Sequence, residues 1–116
     1  MNSTSTLTDG VLYLSLTGDL IGSPDTQHLL QTVNEYLDGN VLNCAVDLSG
    51  VRYINSSGIG ALVSLLTKFR SRGGEMVLIN PADYPRKMLA LTKLTNIFAI
   101  AADQATAHQQ LTLAAS

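Results

Sequence analysis

Hydrophobic and polar positions follow two rhythms along this chain, one of period two and one of three to four. In residues 11–17, Leu12, Leu14 and Leu16 share one face of an alternating run, which predicts a half-buried strand. The polar stretch ending at Gly10 predicts a turn from a short preceding edge strand. Gly18-Asp19 closes the strand and leads into a loop through Gly22. Ser23-Pro24-Asp25 then reads as a helix start, with Ser23 as cap, Pro24 in the first helical position and Asp25 at the positive end of the dipole. Leu29, Leu30, Val33 and Leu37 continue at helical spacing until Gly39-Asn40 stops the helix. Residues 41–48 are apolar apart from Asn43 and Asp47, as in a strand covered on both faces. Ile59, Leu62, Val63, Leu66 and Phe69 predict a second helix running to about Arg72, ended by Gly73-Gly74. Residues 76–79 predict a buried strand. Pro81 and Pro85 bracket the start of a third helix through Met88 and Leu91. Residues 97–100 predict a last short strand, and Asp103 caps a terminal helix with Ala105, Leu111 and Leu113 among its less polar positions.

The order β, β, α, β, α, β, α, short β, α predicts an α/β fold with right-handed crossovers. The first two strands can only form an antiparallel hairpin. The expected sheet is therefore mixed, four- to five-stranded and mostly parallel, with about four helices. Neither a repeat nor a linker divides the 116 residues, so a single domain spanning 1–116 with its own core is expected.

Composition narrows the function classes. With 46% hydrophobic and 14% charged residues, the chain can bury a core and is not disordered. A net charge of -2, a pI near 5.4 and only 5% aromatics argue against a nucleic-acid partner. Arg52, Lys68, Arg70 and Arg72 form the nearest thing to a basic cluster and read as a solvated face. Residues 1–10 lack the apolar region of a signal peptide and no apolar run is long enough to span a bilayer, so a cytoplasmic protein without membrane insertion is expected. The single cysteine, Cys44, reads as a small buried hydrophobe; one thiol makes neither an internal disulfide nor a CxxC metal site.

Candidate chemistry gathers in Asn55-Ser56-Ser57-Gly58-Ile59-Gly60, at a predicted strand-to-helix turn. Free N–H groups at such a turn suit an anion. Three readings stand side by side: a helix cap, with Asn55 or Ser56 as acceptor; an anion site; or phosphorylation of an exposed serine. Nucleotide motifs fail. No lysine follows either glycine, Val63 stands where a third glycine would be needed, and neither serine has the flanking glycines of a hydrolase elbow. His28 and His108 are isolated and read as surface or boundary residues. Asp19 and Asp47 could share the sheet edge with the Ser56 loop, yet no acid pair falls at catalytic spacing. No cofactor or metal is expected, and the scarcity of acids, bases and nucleophiles argues against an enzyme.

Leu16-Thr17-Gly18-Asp19-Leu20, the block from Val46-Asp47-Leu48 through Gly58-Ile59-Gly60-Ala61-Leu62, and Gly73-Gly74-Glu75-Met76 resemble the STAS domain, more narrowly the bacterial anti-sigma factor antagonists. The family pattern has an acidic residue, Ser, Ser or Thr, then Gly-Leu-Gly, and its first serine takes the phosphate. The resemblance thus implies Ser56 as phosphoacceptor, with Ser57 shaping and capping the turn. It implies docking of an anti-sigma factor serine kinase by Gly18, Asp19, Ser23, Asn55, Ser57, Gly58 and Ile59. A PP2C-type phosphatase would reverse the modification, and any self-association would be a weak homodimer. Asn55 departs from the family's aspartate; it can cap but carries no charge.

Two function classes follow. The first is an anti-sigma factor antagonist that switches partners through Ser56 phosphorylation and so regulates transcription. The second is a non-phosphorylated accessory or scaffold subunit of a signalling complex or lipid-transport ATPase, in which the turn only contacts a partner.

Overall fold

The computed structural model describes residues 1–22 and 25–115. Its strands β1 (Asn2–Thr8), β2 (Val11–Leu20), β3 (Asn43–Ile54), β4 (Glu75–Ile79) and β5 (Ala99–Ala101) form one sheet in sequence order. Its helices are α1 (Asp25–Asp38), α2 (Ser56–Ser71), α3 (Asp83–Leu91) and α4 (Gln104–Ala115). β1 and β2 are antiparallel and every other pairing is parallel, so the predicted mixed sheet is observed. The hairpin turns on Asp9 (φ 51°) and Gly10 (φ 79°), two left-handed residues whose twist matches that of the strands they join.

Alternation along the strands builds two cores. Leu12, Leu14 and Leu16 of β2, Cys44, Val46 and Leu48 of β3, and Met76 and Leu78 of β4 meet Leu29, Val33 and Leu37 of α1 and the apolar stripe of α2. The residues between them, Val11, Ala45, Val77 and Ile79, face the other way and join Ala101 in packing against Ala107 and Leu111 of α4. The two-sided cover expected of the central strands is thus present. Cys44 is fully buried, as its sequence position suggests, and burial pushes its thiol pKa far up.

Four boundaries differ from the sequence reading. β2 runs on to Leu20 instead of closing at Gly18-Asp19, and β3 runs on to Ile54 instead of ending at Leu48. The two extensions pair with each other, Gly18 with Val51 after a register shift between Ser15 and Thr17, and Asp19 with Tyr53 and Leu20 with Ile54 after a second shift between Gly18 and Asp19. Gly18 (φ 94°) permits one of these irregularities. Residues that read locally as turn formers are held extended by a neighbouring strand. The helix expected from Ile59 begins at Ser56. The last strand is Ala99–Ala101 rather than residues 97–100, because a 3-10 turn at Leu94–Asn96 carries the chain round and buries Phe98.

Other signals hold. Asn40 (φ 66°) supplies the left-handed residue after α1. Asp103 caps α4, its carboxylate accepting the Thr106 N–H at 2.7 Å, a bond that holds its pKa below the usual range. The cap and first-position readings of Ser23 and Pro24 lie outside the described residues, as does the side chain of Leu113.

Candidate functional site

Pairing of the β2 and β3 extensions places the loop after Leu20 directly against the turn that starts α2. Asn55 joins the two with all of its polar groups. Its Oδ1 accepts the Gly58 N–H at 3.0 Å and its carbonyl accepts the Ile59 N–H at 2.9 Å, which caps the helix and starts its hydrogen-bond ladder. Its backbone N–H donates to the Leu20 carbonyl at 3.3 Å, and its Nδ2 donates to the Ile21 carbonyl at 3.2 Å. An aspartate would keep the first of these bonds and lose the last, since a carboxylate has no N–H to give. The departure from the family pattern therefore has a local physical reason.

Close packing continues one turn further in. A Cβ on Gly58 would sit 2.1 Å from the Leu20 carbonyl oxygen and 2.9 Å from Ile54 Cγ1, so only glycine lets α2 approach the loop this closely. Ser57 lies beside Gly22, where an added Cβ would come within 3.3 Å of the Ser57 Cβ. Ile59 is buried in the core beneath the turn.

Ser56 and Ser57, the first two residues of α2, are exposed. Since Asn55 is the cap, the capping role expected of Ser57 belongs to Asn55, and both hydroxyls are spare. Among the described residues neither serine's backbone N–H nor its hydroxyl has a hydrogen-bond partner. The first turn of α2 also holds no acidic residue. The positive end of the helix dipole is thus covered by neutral hydroxyls and faces solvent.

Among the other predicted positions, Gly18 and Asp19 sit on the last rungs of β2, and the Asp19 carboxylate meets Arg52 at 3.3 Å. Ser23 lies outside the described residues. One feature escaped the sequence reading. Tyr53 stacks on Tyr84 of α3 with ring centroids 5.1 Å apart, and both rings stay exposed, as does Ile21. No alternation marks Tyr53, since Arg52 and Tyr53 are both exposed between buried Val51 and Ile54, and Tyr84 is brought in from residues far along the chain.

Several other ionisable groups lie away from the turn. Asp47 is not at the turn: it pairs with Ser15 and Ile79 along β3, and its carboxylate is occupied by the backbone N–H and hydroxyl of Ser49 at 2.9 and 2.7 Å. His28 is exposed on α1. His108 is not isolated; its Nδ1 bonds the Tyr13 hydroxyl, and its Nε2 lies 3.8 Å from Asp9. Burial, and secondarily Asp9, raises the Tyr13 pKa, so this group is a tie between α4 and the hairpin rather than an activated phenol. Arg52, Arg70 and Arg72 each meet a different carboxylate, of Asp19, Glu75 and Asp38, and do not converge. Among the described residues no group of acidic, histidine or cysteine side chains is arranged to hold a metal, and no helix is long and apolar enough to cross a membrane. Among the described residues no acid or base is hydrogen-bonded to the Ser56 hydroxyl.

Solved structures share this architecture. A Thermotoga maritima protein, TM1081, provisionally assigned as an anti-sigma factor antagonist, is 25% identical with a TM-score of 0.83, over 95% of this chain and 94% of that one. An anti-sigma factor antagonist from Mycobacterium paratuberculosis is 21% identical with a TM-score of 0.79, over 96% and 93%. The Bacillus cell fate determinant SpoIIAA in its phosphorylated form is 17% identical with a TM-score of 0.71, over 88% and 93%. The STAS domain model matches residues 3–107, and with that match spanning nearly the whole fold, the chain belongs to the STAS domain family.

Proposed function

We propose that this protein is an anti-sigma factor antagonist that works by partner switching at Ser56. The observation that carries the reading is the division of labour at the start of α2. Asn55 does the capping, so the Ser56 hydroxyl is exposed and spare beside free backbone N–H groups. The likeness to TM1081 at 25% identity supports the same role.

In its unmodified form the protein docks a cytoplasmic serine kinase that is also an anti-sigma factor, and the sigma factor is freed. The docking face holds Ser56, Ser57, the Asp19–Arg52 pair and the exposed rings of Tyr53 and Tyr84, with Gly18, Asn55, Gly58 and Ile59 shaping it from beneath. The kinase transfers the γ-phosphoryl group of ATP to Ser56 Oγ. ADP leaves, and the hydroxyl proton passes to a base of the kinase. The added charge of about -1.5 to -2 suits the helix dipole but obstructs a surface packed over the turn. The fold persists while the complex separates. A PP2C-type phosphatase returns the free serine by hydrolysis, releasing inorganic phosphate.

Incubation with the cognate kinase and ATP, followed by intact-mass measurement, tests this. One phosphoryl increment is expected, and none in Ser56→Ala. A kinase-bound protein that never gains phosphate would establish the accessory-subunit reading instead.

A further inference from the structure

Among the described residues β1 is an outer strand of the sheet, with β2 on one side and no strand on the other. All seven of its residues are exposed, and all seven pair with β2 without a register shift. Its sequence, NSTSTLT, has no charge and no proline. Natural sheets blunt such edges with lysines, prolines, bulges or short strands, because a regular open edge templates pairing with another chain. Here the opposite edge strand, β5, is only 3 residues long. One edge is blunted and the other is not.

We infer that β1 is a self-association edge, which pairs antiparallel with β1 of a second copy about a two-fold axis at Ser5. This register is the one that uses all seven residues. It sets Asn2 opposite Thr8, Ser3 opposite Leu7 and Thr4 opposite Thr6 of the second copy. The side-chain faces agree. Ser3, Ser5 and Leu7 lie across from Leu16, Leu14 and Leu12, on the α1 side of the sheet, while Thr4 and Thr6 lie across from Ser15 and Tyr13, on the other. Pairing therefore matches α1-side residues with α1-side residues and threonine with threonine, a favourable cross-strand combination. Leu7, the one apolar residue of the strand and half exposed at 50%, gains cover from Ser3 of the second copy. Asp9, the nearest charged side chain, falls outside the seven paired positions, so like-charged side chains do not meet although each copy carries -2. The two five-stranded sheets become one continuous sheet. Because the copies run in opposite directions, their Ser56 turns point away from each other, and both stay open.

A contact of one strand on one strand falls below the roughly 1,200 Å² of a stable interface, so the dimer is weak. Sedimentation from about 10 μM to about 1 mM is expected to show concentration-dependent dimerisation, with a Kd in the upper part of that range. T4K/T6K sets lysines opposite lysines and should weaken association at least about 10-fold, as should T4E/T6E. Mixing the two variants should restore a heterodimer, a result that misfolding cannot imitate. Should either variant fold poorly, amide exchange of the wild type decides: β1 amides should be better protected at high concentration than at low. A wild type that stays monomeric throughout, or a T4K/T6K protein that associates like wild type, overturns the proposal. So does protection of β1 that arises only when the kinase is added, which would make the edge a partner's docking strand.

Discussion

Gly58 rests on the carbonyl of Leu20: a Cβ at that position would lie 2.1 Å from the carbonyl oxygen. The contact joins the first turn of α2 to the end of β2 through backbone alone, and the exposed serines are presented from this junction. Gly60, two residues on, has nothing within 4 Å of its own hypothetical Cβ. The two glycines of one motif thus have different reasons to be glycine. Gly58→Ala should destabilise the fold by about 2–3 kcal/mol, since backbone must move to admit the methyl group. Gly60→Ala should stabilise it by about 0.5–1 kcal/mol through helix propensity. Urea unfolding of both variants checks the contrast; equal effects would mean that the close approach does not exist.

Asn55→Ala removes the cap and the bond to Ile21 together, and a loss of about 1–2 kcal/mol is expected. Asn55→Asp keeps the cap and gains from the helix dipole while losing the Nδ2 donor. It should stay within about 1 kcal/mol of wild type at neutral pH. Urea midpoints for the two variants measure the difference.

Ser56→Asp places a negative charge at the first helical position, where no acidic residue stands. Thermal unfolding should show stability unchanged or raised by up to about 1 kcal/mol. A pull-down with the kinase should show binding lost. Unaltered binding by this variant would remove the charge from the switch, whatever the mass experiment shows.

Cys44 is fully buried and its thiol pKa is pushed far up by desolvation. The folded state therefore keeps a proton that the unfolded chain releases above about pH 8.5. Stability is fully present below that pH and should fall above it, by about 1.4 kcal/mol per pH unit from this group. Cys44→Val should remove this share of the alkaline slope. In the native protein a thiol reagent should react no faster than the chain unfolds.

Local chemistry was enough to find most elements of the fold. Leu12, Leu14 and Leu16 at every second position, the α2 stripe from Ile59 to Phe69, and Asp103 ahead of α4 each state their structure within a few residues. The Asn-Ser-Ser-Gly block was legible as a turn for the same reason, because caps and glycines act on backbone groups close by in sequence. What lay beyond reach was every feature that needs a distant partner. The extensions of β2 and β3 through Gly18 and Gly50 exist because each strand supplies the other's hydrogen bonds. Whether Asn55 or Ser56 caps α2, and why asparagine stands there, depends on the carbonyl of Ile21, 34 residues away in the chain. Tyr84 reaches Tyr53, and His108 reaches Tyr13, only after helices have packed on the sheet. Periodicity and capping are properties of neighbouring residues and are written along the chain. The spare hydroxyl of Ser56 is a property of packing, because it is free only once a remote loop holds Asn55 in place.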